Sequence, residues 1–301
     1  MRVMVSAAGS PASVSILRHL KALGHEVVGI NARVETEKLG RAFCDRFFLC
    51  PLASASAYLD FLVERLADVD AFLPFIDEEL IAIADGWSRI PKILTGRVAL
   101  SDPVVIRDCV DKCRFQRACV EAGLPIAPTA KSPPAYFKPR FGRGGRGVLE
   151  VLDGRMFEAL EGWDGVIQRA IRGEEFTVDA IFDRDGQLLA TASRKRLLAA
   201  GVSTIGEVGF DPALHRLAER IGSNWHFKYA INFQCIRDGA GKDWIIELNP
   251  RLAGSAIFST LADCDPFSAT IALLSGGSWK GHPKRLRVWR YWKEMSEELS
   301  P

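Results

Sequence analysis

Four oxygen-bearing side chains and one arginine fall at alternating positions of two adjacent strand-like runs. Asn232-Phe233-Gln234-Cys235-Ile236 and Trp244-Ile245-Ile246-Glu247-Leu248-Asn249 flank Asp238-Gly239-Ala240-Gly241-Lys242, a strong hairpin signal. With the turn centred between Ala240 and Gly241, Gln234 lies opposite Glu247 and Asn232 opposite Asn249. Opposed residues share a face, and the period of two adds Arg251 to it, leaving Phe233, Ile246 and Leu248 for the core. Amide and carboxylate oxygens without His or Cys suit Mg²⁺, which takes few protein oxygens and completes its shell with water and phosphate. A solvated hairpin face is the alternative, although such a face would usually carry Lys, Thr or Glu rather than amides beside one acid and an arginine.

A second group lies upstream, where Tyr136-Phe137-Lys138-Pro139-Arg140 leads into Gly142-Arg143-Gly144-Gly145-Arg146-Gly147. Repeated glycines permit positive φ and let backbone N–H groups approach phosphate oxygens, while a lysine on the preceding strand supplies a fixed cation. That pairing suits a triphosphate. No Gly-Lys-Ser or Gly-Lys-Thr ends the run and no His-Arg-Asp or Asp-Phe-Gly follows it, so neither a Walker loop nor a protein-kinase set is indicated. An arginine-rich surface loop is the alternative. The turn Gly9-Ser10-Pro11-Ala12-Ser13, with Asn31 where a ribose-binding acid would stand, argues against a nicotinamide or flavin dehydrogenase. It can offer amides to an anion at a helix N-terminus or be a tight turn.

These groups need elements to position them. Val3–Ser6, Glu26–Ile30, Phe47–Cys50, Ala71–Pro74 and Lys92–Thr95 read as short apolar strands, with helices over Ser13–Leu23 and Tyr58–Leu66. Strands alternating with helices predict a parallel α/β sheet covered on both faces. Ser101-Asp102-Pro103 opens a helical stretch, and Asp111 caps a further helix through Glu121. Beyond it, alternation in Glu175–Ala180 and the Asp185-Gly186 turn into Leu188–Ser193 predict antiparallel sheet. The chain thus divides into a parallel α/β domain at 1–100 and an α+β domain at 101–301, with a small subdomain at about 128–170.

The 301 residues suffice for about two domains, and 48% hydrophobic with 25% charged residues gives extended disorder no support. A net charge of +2 leaves a nucleic-acid role without a global field, and the basic, aromatic run Arg285–Trp292 reads as a closing strand with arginines on one face, a candidate for a subunit contact. Seven scattered cysteines without a Cys-x-x-Cys pair predict reduced, mostly buried thiols. No apolar run reaches the roughly 18 to 20 residues of a membrane span, so neither membrane nor nucleic acid is an expected partner and a cytoplasmic location is expected.

Together these segments resemble the ATP-grasp superfamily, specifically its carbamoyl-phosphate-synthetase-like carboxylate–amine ligases. The resemblance runs from Gly9-Ser10-Pro11-Ala12-Ser13 and Leu73-Pro74-Phe75-Ile76-Asp77-Glu78-Glu79-Leu80 through Asp111-Lys112 and Gly123-Leu124-Pro125-Ile126-Ala127-Pro128-Thr129. It continues in Phe137-Lys138-Pro139 with its glycine loop, Gln168 to Glu175 and Glu247-Leu248-Asn249-Pro250-Arg251. It implies a Rossmann-like domain followed by an ATP-grasp domain. It also implies that Lys112 and Lys138 contact the ATP phosphates, with Gly142, Gly144, Gly145 and Gly147 closing over them. Gln168, Arg169 and Ile171 would form the adenine hinge and Glu175 would meet the ribose. Gln234, Glu247 and Asn249 would hold Mg²⁺, which Mn²⁺ can replace, and Arg251 would stabilise the transferring phosphoryl group. Arg194 and Arg196, before Gly201-Val202-Ser203, resemble the basic segment aimed at the γ-phosphate or the acceptor carboxylate.

Two departures stand out: Gln168 replaces the Glu that often opens the hinge, and only about ten residues separate Pro128 from Lys138, which implies a reduced lid. The implied reaction joins a small carboxylate, an amino acid or another, to an amine through an acyl phosphate, in a chain of a family where homodimers are common. Asp77, Glu78 and Glu79 are candidates for a substrate ammonium, or an acidic first helical turn favoured by the macrodipole. A small-molecule kinase and a nucleotide-binding regulator are the other functional classes.

Overall fold

Alternating buried strands and amphipathic helices build the first layer of this computed structural model, which describes residues 1–200 and 202–296. In chain order β1 (Arg2–Val5), α1 (Val14–Ala22), β2 (Glu26–Asn31), α2 (Glu37–Phe43), β3 (Arg46–Leu49), α3 (Tyr58–Leu66) and β4 (Ala71–Leu73) form a parallel sheet of order β3-β2-β1-β4. Both faces are covered, as continuous apolar strands require. Val3 and Val5 pack with Ile16, Leu17 and Leu20 of α1, while Met4 packs with Tyr58, Leu59 and Leu62 of α3 on the other side.

After β4 comes α4 (Asp77–Asp85), and then a departure from the sequence reading. Lys92–Thr95, expected as a strand, is a single helical turn, α5. The Pro91 carbonyl accepts from the amides of Leu94 and Thr95, which closes the turn. Only Val98 bridges to Phe72, in parallel, where a fifth strand was expected.

The next helices tie the layers together. In α6 (Pro103–Val110), Ile106 and Val110 pack in the core under the parallel sheet, while Val105 and Cys109 join the core of the following sheet. Asp111 then caps α7 (Lys112–Glu121), accepting from the amides of Cys113 and Arg114 at 3.0 and 3.1 Å. A small antiparallel sheet of order β6-β5-β7 follows, made of β5 (Ala135–Pro139), β6 (Leu149–Val151) and β7 (Gly165–Arg169), with one short helix, α8 (Gly154–Ala159). It has its own core of Ala130, Ala135, Phe137, Val151 and Leu160.

The last sheet is antiparallel throughout, of order β12-β11-β8-β9-β10-β13. Its strands are β8 (Gly173–Phe182), β9 (Leu188–Ala200), β10 (Val202–Gly209), β11 (Tyr229–Asp238), β12 (Asp243–Asn249) and β13 (Leu286–Trp289). The turn between β8 and β9 has Gly186 at φ 86°, as the Asp-Gly signal required. Gly201 of the basic segment lies outside the described residues. On one face, α9 (Pro212–Trp225) covers Phe176, Val178 and Ala180. On the other, α10 (Ile257–Leu261) and α11 (Pro266–Leu274) share one core with α1 and β1. His19 of α1 meets Asp265, the cap of α11, at 2.8 Å.

The hairpin of β11 and β12 pairs Asn232 with Asn249 and Gln234 with Glu247 as expected, for a reason the turn did not reveal. Nearer the turn, Cys235 faces Ile245 and Arg237 faces Asp243, one residue out of step, and the register shift lies between Gln234 and Cys235. The residue without a partner is Ile246, a bulge position. Ile245 takes the core place expected for Ile246, which instead lines the site. The seven cysteines are free thiols, five of them buried. Among the described residues no helix is long and apolar enough to cross a membrane.

Candidate functional site

A cavity of about 580 Å³ opens between the parallel layer and the antiparallel sheet. That is within the range that holds a drug-sized ligand. The β1–α1 turn supplies one wall through Ala7, Ser10, Ala12 and Ser13. Its Gly9 is fixed because a Cβ there would meet Thr36 and Asn31 at 2.5 to 2.8 Å. The opposite wall carries Thr177, Arg196, Ser203, Asn232, Gln234, Glu247, Asn249 and Arg251, and the loop after β5 covers the opening with Arg143 to Arg146. The two sequence groups thus meet in one place.

The loop is held at both ends. Gly142, Gly144, Gly145 and Gly147 all have positive φ, from 63° to 126°, which side chains with a Cβ rarely adopt. Lys112 Nζ donates to the Gly142 carbonyl at 2.7 Å, and Arg143 Nε meets Glu78 Oε2 at 3.1 Å. At the base, Arg140 donates twice to Asp111, at 2.7 and 2.8 Å. Burial pushes the Asp111 carboxyl up, but Arg140 and the capped amides outweigh it and hold it below the usual range.

Lys138 lies on β5 with its ammonium turned into the cleft, donating to the Ile246 carbonyl at 2.8 Å. Burial pushes it down to about 8, with Glu247 acting in the opposite direction. Glu247 and Gln234 make no hydrogen bond or ion pair among the described residues, so their oxygens are open to the cavity. Asn249 is engaged, donating to Asn232 Oδ1 at 3.2 Å and accepting from Arg251 at 3.3 Å. Among the described residues no three His, Cys, Asp or Glu side chains gather as a metal cluster. A cation here must therefore draw on Glu247, amide oxygens and the ligand itself, which is how Mg²⁺ is bound beside phosphates.

Next to the cavity is a slot lined by Lys112, Phe115, Gln116, Lys138, Val166, Gln168, Ile246 and Leu248. Gln168, on β7, donates to Gln116 Oε1 at 2.6 Å, and Gln116 donates to the Ala127 carbonyl at 3.0 Å. That chain leaves Gln168 Oε1 buried without a partner. A buried acceptor left unpaired costs about 1 to 3 kcal/mol, so it marks a place for a donor. The slot is narrow, with room in this structure for about one water molecule. Arg169 turns its side chain over the Trp244 ring at 5.6 Å and its amide donates to the Pro128 carbonyl at 2.8 Å, and neither it nor Ile171 lines the slot.

Several candidates sit differently from the sequence reading. Arg194 is fully buried, held by Asp179 at 3.0 Å and close to Ser259 at 3.4 Å, and does not line the cavity. Its strand neighbour two residues on, Arg196, does, paired with Glu175. The acidic turn of α4 is not free for an ammonium. Asp77 pairs with Arg251 at 2.5 Å, Glu78 with Arg143, and Glu79 is buried with its carboxyl pushed by burial up to about 7. Burial pulls the Arg251 guanidinium down, but Asp77 outweighs it and the net shift is upward. Gln116 and Asp77 gave no sequence signal for these roles, because each depends on an element distant in the chain.

A family model for ATP-grasp in the biosynthetic pathway with Ter operon matches residues 164–295. Among solved structures the chain resembles the N5-carboxyaminoimidazole synthetase of Staphylococcus aureus, with a TM-score of 0.74 at 13% identity over 95% of this chain and 81% of that one. It resembles the biotin carboxylase domain dimer of Hydrogenobacter thermophilus 2-oxoglutarate carboxylase, solved with MgADP, ADP and bicarbonate, with a TM-score of 0.71 at 16% identity over 94% and 71%. The biotin carboxylase of Campylobacter jejuni, solved as a βγ-ATP complex, gives 0.71 at 17% identity over 92% and 72%. A search of the curated proteins finds no match. At such identities the likeness to solved structures is one of fold: the chain has the ATP-grasp fold, and the family model matches its residues 164–295.

Proposed function

We propose that this protein is an ATP-dependent ligase that joins a small carboxylate to an amine through an acyl phosphate. The observation that carries the reading is the meeting, around one cavity, of a glycine loop, Lys138, the open oxygens of Glu247 and Gln234, and Arg251. The Hydrogenobacter thermophilus biotin carboxylase domain, solved with MgADP, supports the same nucleotide and ion.

The residues fit ATP by type and place. The partnerless Gln168 Oε1 suits the adenine amino group. Glu175 would exchange Arg196 for the ribose hydroxyls. Lys112, Lys138 and the amides of Gly142 to Gly147 would take the phosphates, under the lid we assign to residues 128–170. Glu247, Gln234 and Asn249 would hold Mg²⁺, or Mn²⁺ in its place, which supplies charge neutralisation at the phosphates.

Phosphoryl transfer is mainly positioning and electrostatics, so the protein's task is to align the groups and exclude water. A carboxylate oxygen bonds to the γ-phosphorus as the bond to the β-phosphate oxygen breaks, releasing ADP. The amine nitrogen then bonds to the acyl carbon and phosphate leaves, with the amine proton passing to solvent. Arg196 suits the acceptor carboxylate, since a guanidinium can bind one bidentately. Arg251, fixed by Asp77, presents a charge that needs no rearrangement to meet the transferring group.

The test is phosphate release from ATP and Mg²⁺ over a matrix of carboxylates and amines, with mass spectrometry of the products. An amide formed with one phosphate per turnover is expected. A phosphorylated product from one organic substrate would make the protein a kinase and overturn the reading.

A further inference from the structure

Behind the cavity wall lies a concentration of positive charge that the scheme above does not use. The strand period places Leu286, Val288 and Arg290 on the inner face of the sheet, with Arg287 and Trp289 outward. Gly206 of β10 pairs with both Val288 and Arg196, so the inner face of β13 is the face that carries Arg196. Arg290 Nη2 donates to the Gly254 carbonyl at 3.0 Å and its amide to the Thr204 carbonyl at 2.8 Å. Gly254, Ser255 and Ser203, next to those contacts, line the cavity.

Arg194 reaches the same place from β9. Its stem passes Gly206, where a Cβ would come within 3.1 Å of it, and its guanidinium and that of Arg290 lie over one ring, Phe258, at 5.7 and 5.4 Å. Asp179 neutralises Arg194. Among the described residues no carboxylate pairs with Arg290. Nε and Nη2 of Arg194, Nε of Arg196 and Nη1 of Arg290 are all buried donors without an acceptor. Burial pulls the Arg290 guanidinium down to about 10, and the charge of Arg194 adds to the effect. Buried charges of one sign with open donors are costly unless an anion completes them.

We propose that Arg290, with Arg194 behind it, binds a second oxyanionic group of the acceptor substrate, a carboxylate or a phosphate, at the wall formed by Ser203, Gly254 and Ser255 and apart from the activated carboxylate that Arg196 would meet. This rests on the reading of the cavity as the acceptor site. It selects acceptors with two anionic groups, such as dicarboxylates or phosphorylated carboxylates, over simple monoacids.

The test is thermal unfolding of the full chain with its γ-phosphate site filled by magnesium β,γ-methylene-ATP, titrated at constant ionic strength with succinate, inorganic phosphate or acetate. A saturable rise in Tm with succinate or phosphate but not acetate is expected, and which of the two acts identifies the group. Arg290→Gln should weaken that anion about tenfold or more while leaving affinity for the analogue unchanged, since charge-assisted hydrogen bonds are the strong ones. Arg290→Lys, which keeps the charge, should fold as wild type and lose less. No saturable response in the wild type, or unchanged anion affinity in both variants, overturns the proposal. Failure of the analogue to bind would count against the ATP reading instead, and the titration without it still decides the anion site.

Discussion

Replacing Lys138 with Met should make the protein more stable and its nucleotide site much weaker at once. Burial holds the ammonium at about 8 instead of 10.5, a cost of roughly 3 kcal/mol for keeping it charged in the folded state. Met removes that cost but leaves the Ile246 carbonyl without its donor, worth about 1 kcal/mol. The net gain near pH 7 is about 2 kcal/mol. The sign follows from protons: between about 8 and 10.5 the unfolded chain binds more of them, so wild-type stability rises with pH there. The advantage of Lys138→Met is therefore full below pH 8 and gone by about 10.5. Urea unfolding at pH 7 and pH 10.5 measures it, and calorimetric titration with MgADP should show about ten- to a hundredfold weaker binding, the loss of one charge-assisted bond. A variant less stable than wild type at pH 7, or one that binds MgADP as well as wild type, would refute the placement of a strained cation at the phosphates.

Asp77→Asn should destabilise by about 3 to 5 kcal/mol, because it leaves Arg251 buried without its counter-ion, and adding Arg251→Met should recover much of the loss in a denaturant double-mutant cycle. Glu79→Gln should stabilise the chain by up to about 3 kcal/mol at pH 8 and by little near pH 4.5, since a carboxyl raised to about 7 takes up a proton on folding between 4.5 and 7 and costs most when ionised; unfolding midpoints across pH 4.5 to 8.5 check it.

Local patterns carried most of the reading. The Asp111 cap, the period-two faces of β8 and the glycine loop each depend on residues close in sequence, and each is found where expected. The strand at Lys92–Thr95 failed because four residues after a proline close a helical turn as readily as they extend. Ile246 was misplaced because a bulge moves one residue across the sheet without changing the composition of the hairpin. What could not be read was partnership across layers. Asp77 and Arg251 are 174 residues apart, Gln116 and Gln168 52 apart, and neither pair has a local signature. Arg194 and Arg196 look equivalent in sequence, yet α10 covers one and the cavity opens on the other.

The central claim is transfer of the γ-phosphate to a carboxylate oxygen followed by its displacement by an amine. A pool of small carboxylic acids labelled with ¹⁸O in the carboxyl group, incubated with the protein, Mg²⁺, ATP and amines, tests it through the mass of the phosphate released. The acyl-phosphate route predicts one ¹⁸O atom in each phosphate formed with product. Phosphate that carries only unlabelled oxygen while amide accumulates would contradict it.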